Sequence, residues 1–285
     1  MYCAVNPPIG YPELDLGTMA YGLAHEALKS EEYRERLKTL AKEDRYLILD
    51  NGADETTVGM SGHDYYDLVT EIAPDEVIAP DVLGDAKATR KAFEEFWPWF
   101  EEYKTQREEE LPVKLMVVVQ GQSEEEWIRE ALQWANDDRV DVLGIPYDIN
   151  FEVGEATSLP EDSDHISSKW AARRIALVEK LIGDASLEEG TKMIHLLGMS
   201  NLEELAYYRD SLLGQYIRSN DTTAPFAAAS EGTVWSEDSS GPKNWSRLDF
   251  NLQDLNLQPT FLNLNHYFHA VGDLPGQLKL LSALL

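Results

Sequence analysis

The sequence predicts a single (β/α)8 barrel of the TIM type, an α/β fold of parallel strands. Three observations carry that expectation. Short β-rich runs alternate with longer helical segments, apolar residues fill the strands without polar alternation, and polar or glycine residues follow the strands' carboxyl ends. Unbroken apolar strands are buried on both faces, which is the habit of parallel sheets. Repeated strand–helix units then imply right-handed crossovers between parallel neighbours.

In chain order, strands are read at "YCAV" (2–5), "YLIL" (46–49), "EVIAP" (76–80), "LMVVV" (115–119), "DVLGI" (141–145), "MIHLL" (193–197) and "QYIRS" (215–219). Helical patterns lie at 18–43, 63–73, 86–109, 123–137, 167–183 and 201–213. These seven strands are one short of a closed barrel. The eighth is expected within 247–264, around "RLDF" or "TFLNL". An open doubly wound sheet is the alternative, and the chemistry at the strand ends argues for the barrel. No repeat, low-complexity linker or composition break divides the chain. Residues 1–285 therefore read as one catalytic domain, with the role of 227–285 left open.

At 285 residues and 43% hydrophobic content, the chain can bury a large core. It holds no run of roughly 20 apolar residues of the kind that crosses a bilayer. Its start, "MYCAVNPPIG", lacks the charged and apolar segments of a signal peptide. A soluble, cytoplasmic protein is expected, in a host's cytoplasm if its source is a virus, with no membrane partner. Cys3 is the one cysteine, so neither an internal disulfide nor a cysteine-based zinc site can form. Acidic residues number 52 against 24 basic, giving a net charge of −28 and a pI near 4.4. Such a field repels nucleic acid unless basic residues gather locally. The acidity suits a heavily solvated surface, as in "REEE" and "SEEEW", or a salt-rich cytoplasm in which screening collapses to a few ångströms.

The residues after the strands are the informative ones. "LDNGADE", "APDVLGD", "VVQGQS", "GIPYD", "HLLGMS" and "SNDTTAP" put Asp50 and Asn51, Asp81, Gln120 and Gly121, Gly144, Gly198 and Asp221 at strand ends. In a parallel barrel those ends share one mouth, where active sites lie. Turn formation or helix capping is the alternative role for each aspartate. The chain has no Cys/His cluster with metal-ligand spacing, no G-x-G-x-x-G after its first strand and no G-x-S-x-G elbow. Paired carboxylates remain. Two of them flanking a glycosidic bond can act as nucleophile and acid/base through an oxocarbenium-like transition state. A third, beside a glutamine amide, suits the edge of a heterocyclic base.

In order and content these motifs resemble the tRNA-guanine transglycosylases, which exchange guanine for a 7-deazaguanine. The family's Asp-Ser-Gly-Gly strand end is matched by "LDNGA", its later Asp strand end by "APD", its V-Q-G by "VVQG", and its Gly-Leu or Gly-Ile turn by "LGIP". The His-x-Leu-Met-Gly strand is matched by "HLLG" and the strand ending on the nucleophile by "SND", so the resemblance runs from about 46 to 225. It implies that Asp221 is the covalent nucleophile on ribose C1′ and Asp50 the general acid/base. Asp81 would accept from the base's N1–H and 2-amino group, with Asn51 in the adjoining motif. Gln120, with Gly121 beside it, and the backbone at Gly144 and Ile145 would hold the six-position oxygen. His195 is either a satisfied core histidine or a group that orients a catalytic carboxylate.

The departures are specific too. The family's structural zinc site of three cysteines and a histidine cannot be built here, and Asn51–Gly52–Ala53 stands where the tRNA enzymes have Ser–Gly–Gly. The chain is therefore most similar to the zinc-free DNA-guanine transglycosylases of phages and bacteria. That implies a transferase that modifies DNA, with tRNA the alternative, and guanine and 7-deazaguanine as the exchanged bases. No cofactor or metal is implied, since the incoming base is a substrate. The acidity suggests a phage of a halophilic host. Arg218, Lys169, Arg173, Arg174, Lys243 and Arg247 are the basic residues expected to meet the nucleic acid, the last two flanking Trp245, which could stack on a base. The target nucleotide must leave its stack to reach a barrel mouth. The aromatic run "FEEFWPWF" (93–100) is expected to pack a helix end. A nucleoside hydrolase or glycosidase using the same carboxylates, and a non-catalytic base- or DNA-binding subunit, are the rival functions.

Overall fold

A computed structural model describes residues 1–43, 45–107, 112–157, 166, 168–184, 193–236 and 246–272. Eight strands form one parallel sheet in the order β1-β8-β7-β6-β5-β4-β3-β2, wrapped into a nearly closed (β/α)8 barrel. The strands are β1 (Tyr2–Val5), β2 (Ala20–Leu23), β3 (Leu47–Asp50), β4 (Glu76–Ile78), β5 (Lys114–Val118), β6 (Val142–Ile145), β7 (Met193–Leu196) and β8 (Ile217–Thr222). Around them run α1 (Ala24–Lys29), α2 (Glu31–Lys42), α3 (Ala53–Thr56), α4 (His63–Ile72), α5 (Ala86–Arg107), α6 (Glu124–Ala135), α7 (Lys169–Asp184), α8 (Leu202–Asp210), α9 (Ala224–Ser230) and α10 (Leu257–Val271).

Seven strands lie where the apolar runs put them. The eighth does not. It is β2, inside the stretch read as one helix over 18–43, whereas "TFLNL" belongs to α10 and "RLDF" is irregular. The cause is local: β2 is four fully buried residues, and α1 starts at the next residue with Leu23 at its N-cap. A strand with no polar alternation and no turn residue after it looks like the first turn of a helix.

At the seam, β1 and β2 meet through side contacts rather than a ladder. The Met19 amide donates to Cys3 O over 3.0 Å, and the Cys3 amide donates to Thr18 Oγ1 over 2.9 Å. Gly17 makes this approach possible, since a Cβ there would sit 2.5 Å from Cys3 O and 2.8 Å from Ala4 Cα.

Outside the barrel, Phe93, Phe96 and Phe100 of the aromatic run are buried on α5, packed among Tyr65 and Tyr66 of α4 and Trp134 of α6. The described part of 227–285 returns to the barrel. α10 packs on α8 and α9, and Asn263 Oδ1 accepts from the Trp235 amide at 2.8 Å. Among the described residues no helix is long and apolar enough to cross a membrane.

The barrel floor is polar. Glu76 of β4 and Arg218 of β8 stand on opposite walls and pair through the interior, with Arg218 Nη1 and Nη2 donating to Glu76 Oε2 and Oε1 over 2.6 and 2.8 Å. Tyr46 Oη donates to Glu76 Oε2 over 2.5 Å. A register shift in the β7–β8 ladder accompanies this: Ile194 faces Ile217, but His195 faces Ser219, so β8 carries an extra residue. Bulges of this kind re-aim side chains. Here the bulge allows Arg218 and Ser219, neighbours that regular alternation would turn to opposite faces, both to reach interior partners.

Gly17→Ala should lower unfolding free energy by about 1–3 kcal/mol, the usual cost of forcing a methyl group into packed structure. Chemical denaturation measures it, and an unchanged midpoint would show that the β1–β2 seam does not need the close approach.

Candidate active site

The carboxyl ends of the strands open on a cavity of about 320 Å³, whose lining includes Tyr21, Asp50, Glu55, Asp81, Gln120 and Asp221. Ligand pockets usually have volumes of about 300–1,000 Å³. The three aspartates singled out from the sequence therefore line one space, each delivered by a different strand.

Asp81 follows β4 after Ala79 and Pro80, and only 3% of its surface is exposed. Asn51 Nδ2 donates to Asp81 Oδ1 over 2.8 Å, and Gln120 Nε2 donates to Oδ2 over 2.7 Å. Both amides are themselves oriented by the backbone. Asn51 Oδ1 accepts from the Ala53 amide at 2.9 Å and Gln120 Oε1 from the Gly84 amide at 2.8 Å, which turns each NH2 group toward the carboxylate. Burial pushes the Asp81 carboxyl up to about 6, against the downward pull of the two amides. Each oxygen keeps acceptor capacity beyond the bond it has.

Asp50 closes β3. Its Oδ2 accepts from Tyr21 Oη at 2.7 Å and its Oδ1 from the Gly52 amide at 3.0 Å. Burial first, and the Glu55 carboxylate second, hold its carboxyl well above the usual range. The turn that follows requires glycine: Gly52 has φ +76°, and a Cβ would lie 2.3 Å from His25 Nδ1.

Asp221 lies on β8, with 7% of its surface exposed. Its Oδ1 is 3.2 Å from His195 Nε2 and accepts from the Gly198 amide at 3.1 Å. No hydrogen bond reaches Oδ2 from the described residues. Asp221 does not cap α9, because the Ala224 amide donates to Thr222 Oγ1 over 3.0 Å instead. Asp81 likewise does not cap α5, whose first turn bonds to Asp85 Oδ1.

His195, Asn51 and Gln120 thus hold the carboxylates. Gly121, Gly144 and Ile145 are not in the cavity lining. Gly121 packs on Trp127 beside a smaller cavity of about 160 Å³, and Ile145 is fully buried. A Cβ at Gly144 would meet Leu197 and Met116 at 3.0 Å, so this glycine makes room inside the barrel wall. The segment that follows β6 contributes Pro146, Tyr147 and Asp148 to the lining.

The basic residues divide. Lys169 is exposed at the start of α7, with Nζ 4.7 Å from the ring of Trp170, which lines the cavity. The Arg173 guanidinium lies 5.3 Å from that ring and is bonded to Ile149 O and Glu152. Arg247 lines the cavity, with Nη2 donating to Asp54 Oδ1 over 3.0 Å. Two expected nucleic-acid contacts are corrected. Arg174 is completely buried in an ion pair with Glu204, and Arg218 sits on the barrel floor with Glu76, since each guanidinium had a buried carboxylate to meet. Lys243, with Trp245, lies outside the described residues.

Sequence reading missed Tyr21, because its strand was hidden in a helical stretch. It also passed over Glu55, whose carboxyl is pushed up to about 7 by desolvation and then by Asp54. A carboxylate two residues beyond "LDNGA" was the available signal. Asp50, Asp54, Glu55, Asp81, Asp148 and Asp221 face one space in which Arg247 is the one positive side chain among the described lining residues. Such a site favours neutral bases and developing cations over phosphate. Among the described residues no group of three or more His, Cys, Asp and Glu is placed to hold a metal ion. No protein-family model matches the chain, and no curated protein matches it.

The Asp81 carboxyl titrates at about 6 in the folded protein and near 3.9 unfolded. Between those values the folded state binds more protons, so this group makes stability fall as pH rises. The gap corresponds to about 3 kcal/mol. The unfolding free energy of the wild type minus that of Asp81→Asn should fall by about that amount from about pH 3 to pH 7. Denaturant titrations across pH test it; a flat difference would refute the raised carboxyl.

Proposed function

We propose that this protein is a guanine transglycosylase that replaces guanine in DNA by a 7-deazaguanine through a covalent aspartyl-glycosyl intermediate. One observation carries the reading: Asp50, Asp81 and Asp221, which the resemblance casts as acid/base, base-binding group and nucleophile, line one cavity of about 320 Å³. Asp221 presents an oxygen with no hydrogen-bond partner among the described residues, as a nucleophile needs, while its other oxygen is anchored.

In this scheme Asp221 Oδ2 attacks C1′ of the target nucleotide. The C1′–N9 bond breaks with its electron pair passing to N9, and guanine leaves after taking a proton from the Asp50 carboxyl. The incoming 7-deazaguanine gives its N9 proton back to the Asp50 carboxylate. N9 then attacks C1′ and the ester bond to Asp221 breaks, restoring the enzyme. Asp221 itself and those acids of the lining that are ionised stabilise the oxocarbenium-like charge at C1′. Asp81, with a lone pair left on each oxygen, accepts from N1–H and the 2-amino group. Gln120 has one N–H beyond the one given to Asp81, available for the six-position oxygen.

The acidic interior keeps phosphates outside, so the strand runs along the rim. Trp170 offers a stacking face there, with Lys169 and Arg173 beside it. Arg247 lines the cavity as well, paired with Asp54. No cofactor enters the scheme.

The test is exchange of labelled guanine into guanine-containing oligonucleotides, with DNA and tRNA in parallel. Asp221→Asn should lose roughly a thousandfold or more in kcat, and Asp81→Ala should chiefly raise KM for the base. Equal exchange by wild type and Asp221→Asn would overturn the nucleophile. Release of guanine from wild type without added base, leaving an abasic product, would make the protein a hydrolase.

Trp170→Ala should weaken oligonucleotide binding by about 1–3 kcal/mol, the worth of one stacked base, with free-guanine affinity unchanged. Fluorescence anisotropy measures the first and calorimetry the second. Unchanged oligonucleotide affinity would remove this side of the rim from the strand's path.

A further inference from the structure

β8 sends three polar side chains into the barrel, Arg218, Ser219 and Asp221, and β7 places His195 among them. Arg218 spends both terminal nitrogens on Glu76, and its remaining Nε–H donates to Ser219 Oγ over 3.0 Å. Ser219 Oγ is 2.8 Å from His195 Nδ1, and His195 Nε2 is 3.2 Å from Asp221 Oδ1. Glu76, Ser219 and His195 are completely buried and Arg218 nearly so, which keeps solvent hydrogen bonds from competing along the line as far as the imidazole.

The direction of every hydrogen follows from the ends. A guanidinium only donates, and an ionised carboxylate only accepts. Ser219 Oγ, already an acceptor from Arg218, gives its single hydrogen to His195 Nδ1. A neutral imidazole with Nδ1 as acceptor carries its proton on Nε2 and donates it to Asp221. The reverse polarity would set the Nε2 lone pair against the Asp221 carboxylate. A doubly protonated ring would leave the Ser219 hydroxyl hydrogen without an acceptor and add a cation beside Arg218. Tyr21, stacked on His195 with ring centroids 6.0 Å apart and planes 9° apart, restrains the ring.

We propose that Arg218 and Ser219 are positioning residues for Asp221: the floor guanidinium sets the Ser219 hydroxyl, the hydroxyl sets the His195 tautomer, and His195 anchors Oδ1 so that Oδ2 is left to attack. The inference rests on the reading of Asp221 as nucleophile. No proton moves along the line during the reaction; it holds geometry. Arg218 thus acts on the chemistry from the opposite end of the barrel, where the sequence had suggested a contact with nucleic acid.

The experiment combines long-range proton–nitrogen NMR of histidine-labelled protein without substrate and steady-state exchange kinetics. Wild type should show His195 with a pyridine-type Nδ1 and a pyrrole-type Nε2. Ser219→Ala, and separately the double variant Glu76→Gln/Arg218→Met that leaves no lone buried charge, should disturb both His195 nitrogen signals. Both should lower kcat roughly 10- to 100-fold with KM for base and oligonucleotide within about twofold, and Ser219→Thr should restore most of the rate. Thermal melts identify a variant that has simply failed to fold, and the other variant then decides. A wild-type His195 protonated on Nδ1 overturns the proposal. So does a loss of kcat with unaltered His195 signals, or an effect confined to KM. Asp221→Asn separates the two levels: if it still exchanges guanine, the nucleophile reading fails, while the tautomer is measured in resting protein and is judged apart from it.

Discussion

A carboxylate removed from water costs several kcal/mol unless donors meet it, and this barrel buries five among its described residues: Glu76, Asp81, Glu130, Glu204 and Asp221. Much of the interior is organised by that debt. Glu76, Glu130 and Glu204 meet arginines, Arg218, Arg90 and Arg174. Asp81 and Asp221 meet only neutral or imidazole donors: two side-chain amides for the first, an imidazole and a backbone amide for the second. The division follows position. Cation-paired acids lie on the floor and between helices, and amide- or imidazole-held acids lie at the mouth.

That division has a chemical meaning. A guanidinium fork saturates a carboxylate and leaves it little to offer a ligand. Single neutral donors anchor it while leaving lone pairs open. Asp81 and Asp50 carry the result, with carboxyls raised by burial. A protein that needed these acids only for packing could pair them with arginine, as it does elsewhere.

The sequence made much of this legible. Seven strands announce themselves as unbroken apolar runs, and the aspartates that close or follow β3, β4 and β8 could be placed on one rim by topology alone. What stayed hidden depends on distance and phase. Glu76 and Arg218 are 142 residues apart, and nothing near either one names the other. Arg173 and Arg174 are adjacent on α7, yet one reaches the surface of the mouth and the other is fully buried, a choice made by about 100° of helical rotation. β2 was lost because four buried residues running straight into a helix leave no alternation and no turn.

The extra residue in β8 has a consequence for how this molecule can change. One short strand carries the floor guanidinium and, three positions later, the mouth carboxylate, with the bulge as the spacer between them. Deleting a residue there would not merely shorten the strand; it would turn the acid out of the cavity while keeping the fold's outline. Floor and mouth are therefore inherited as one unit. The spacing along β8 is a fixed ruler that neither end can change alone.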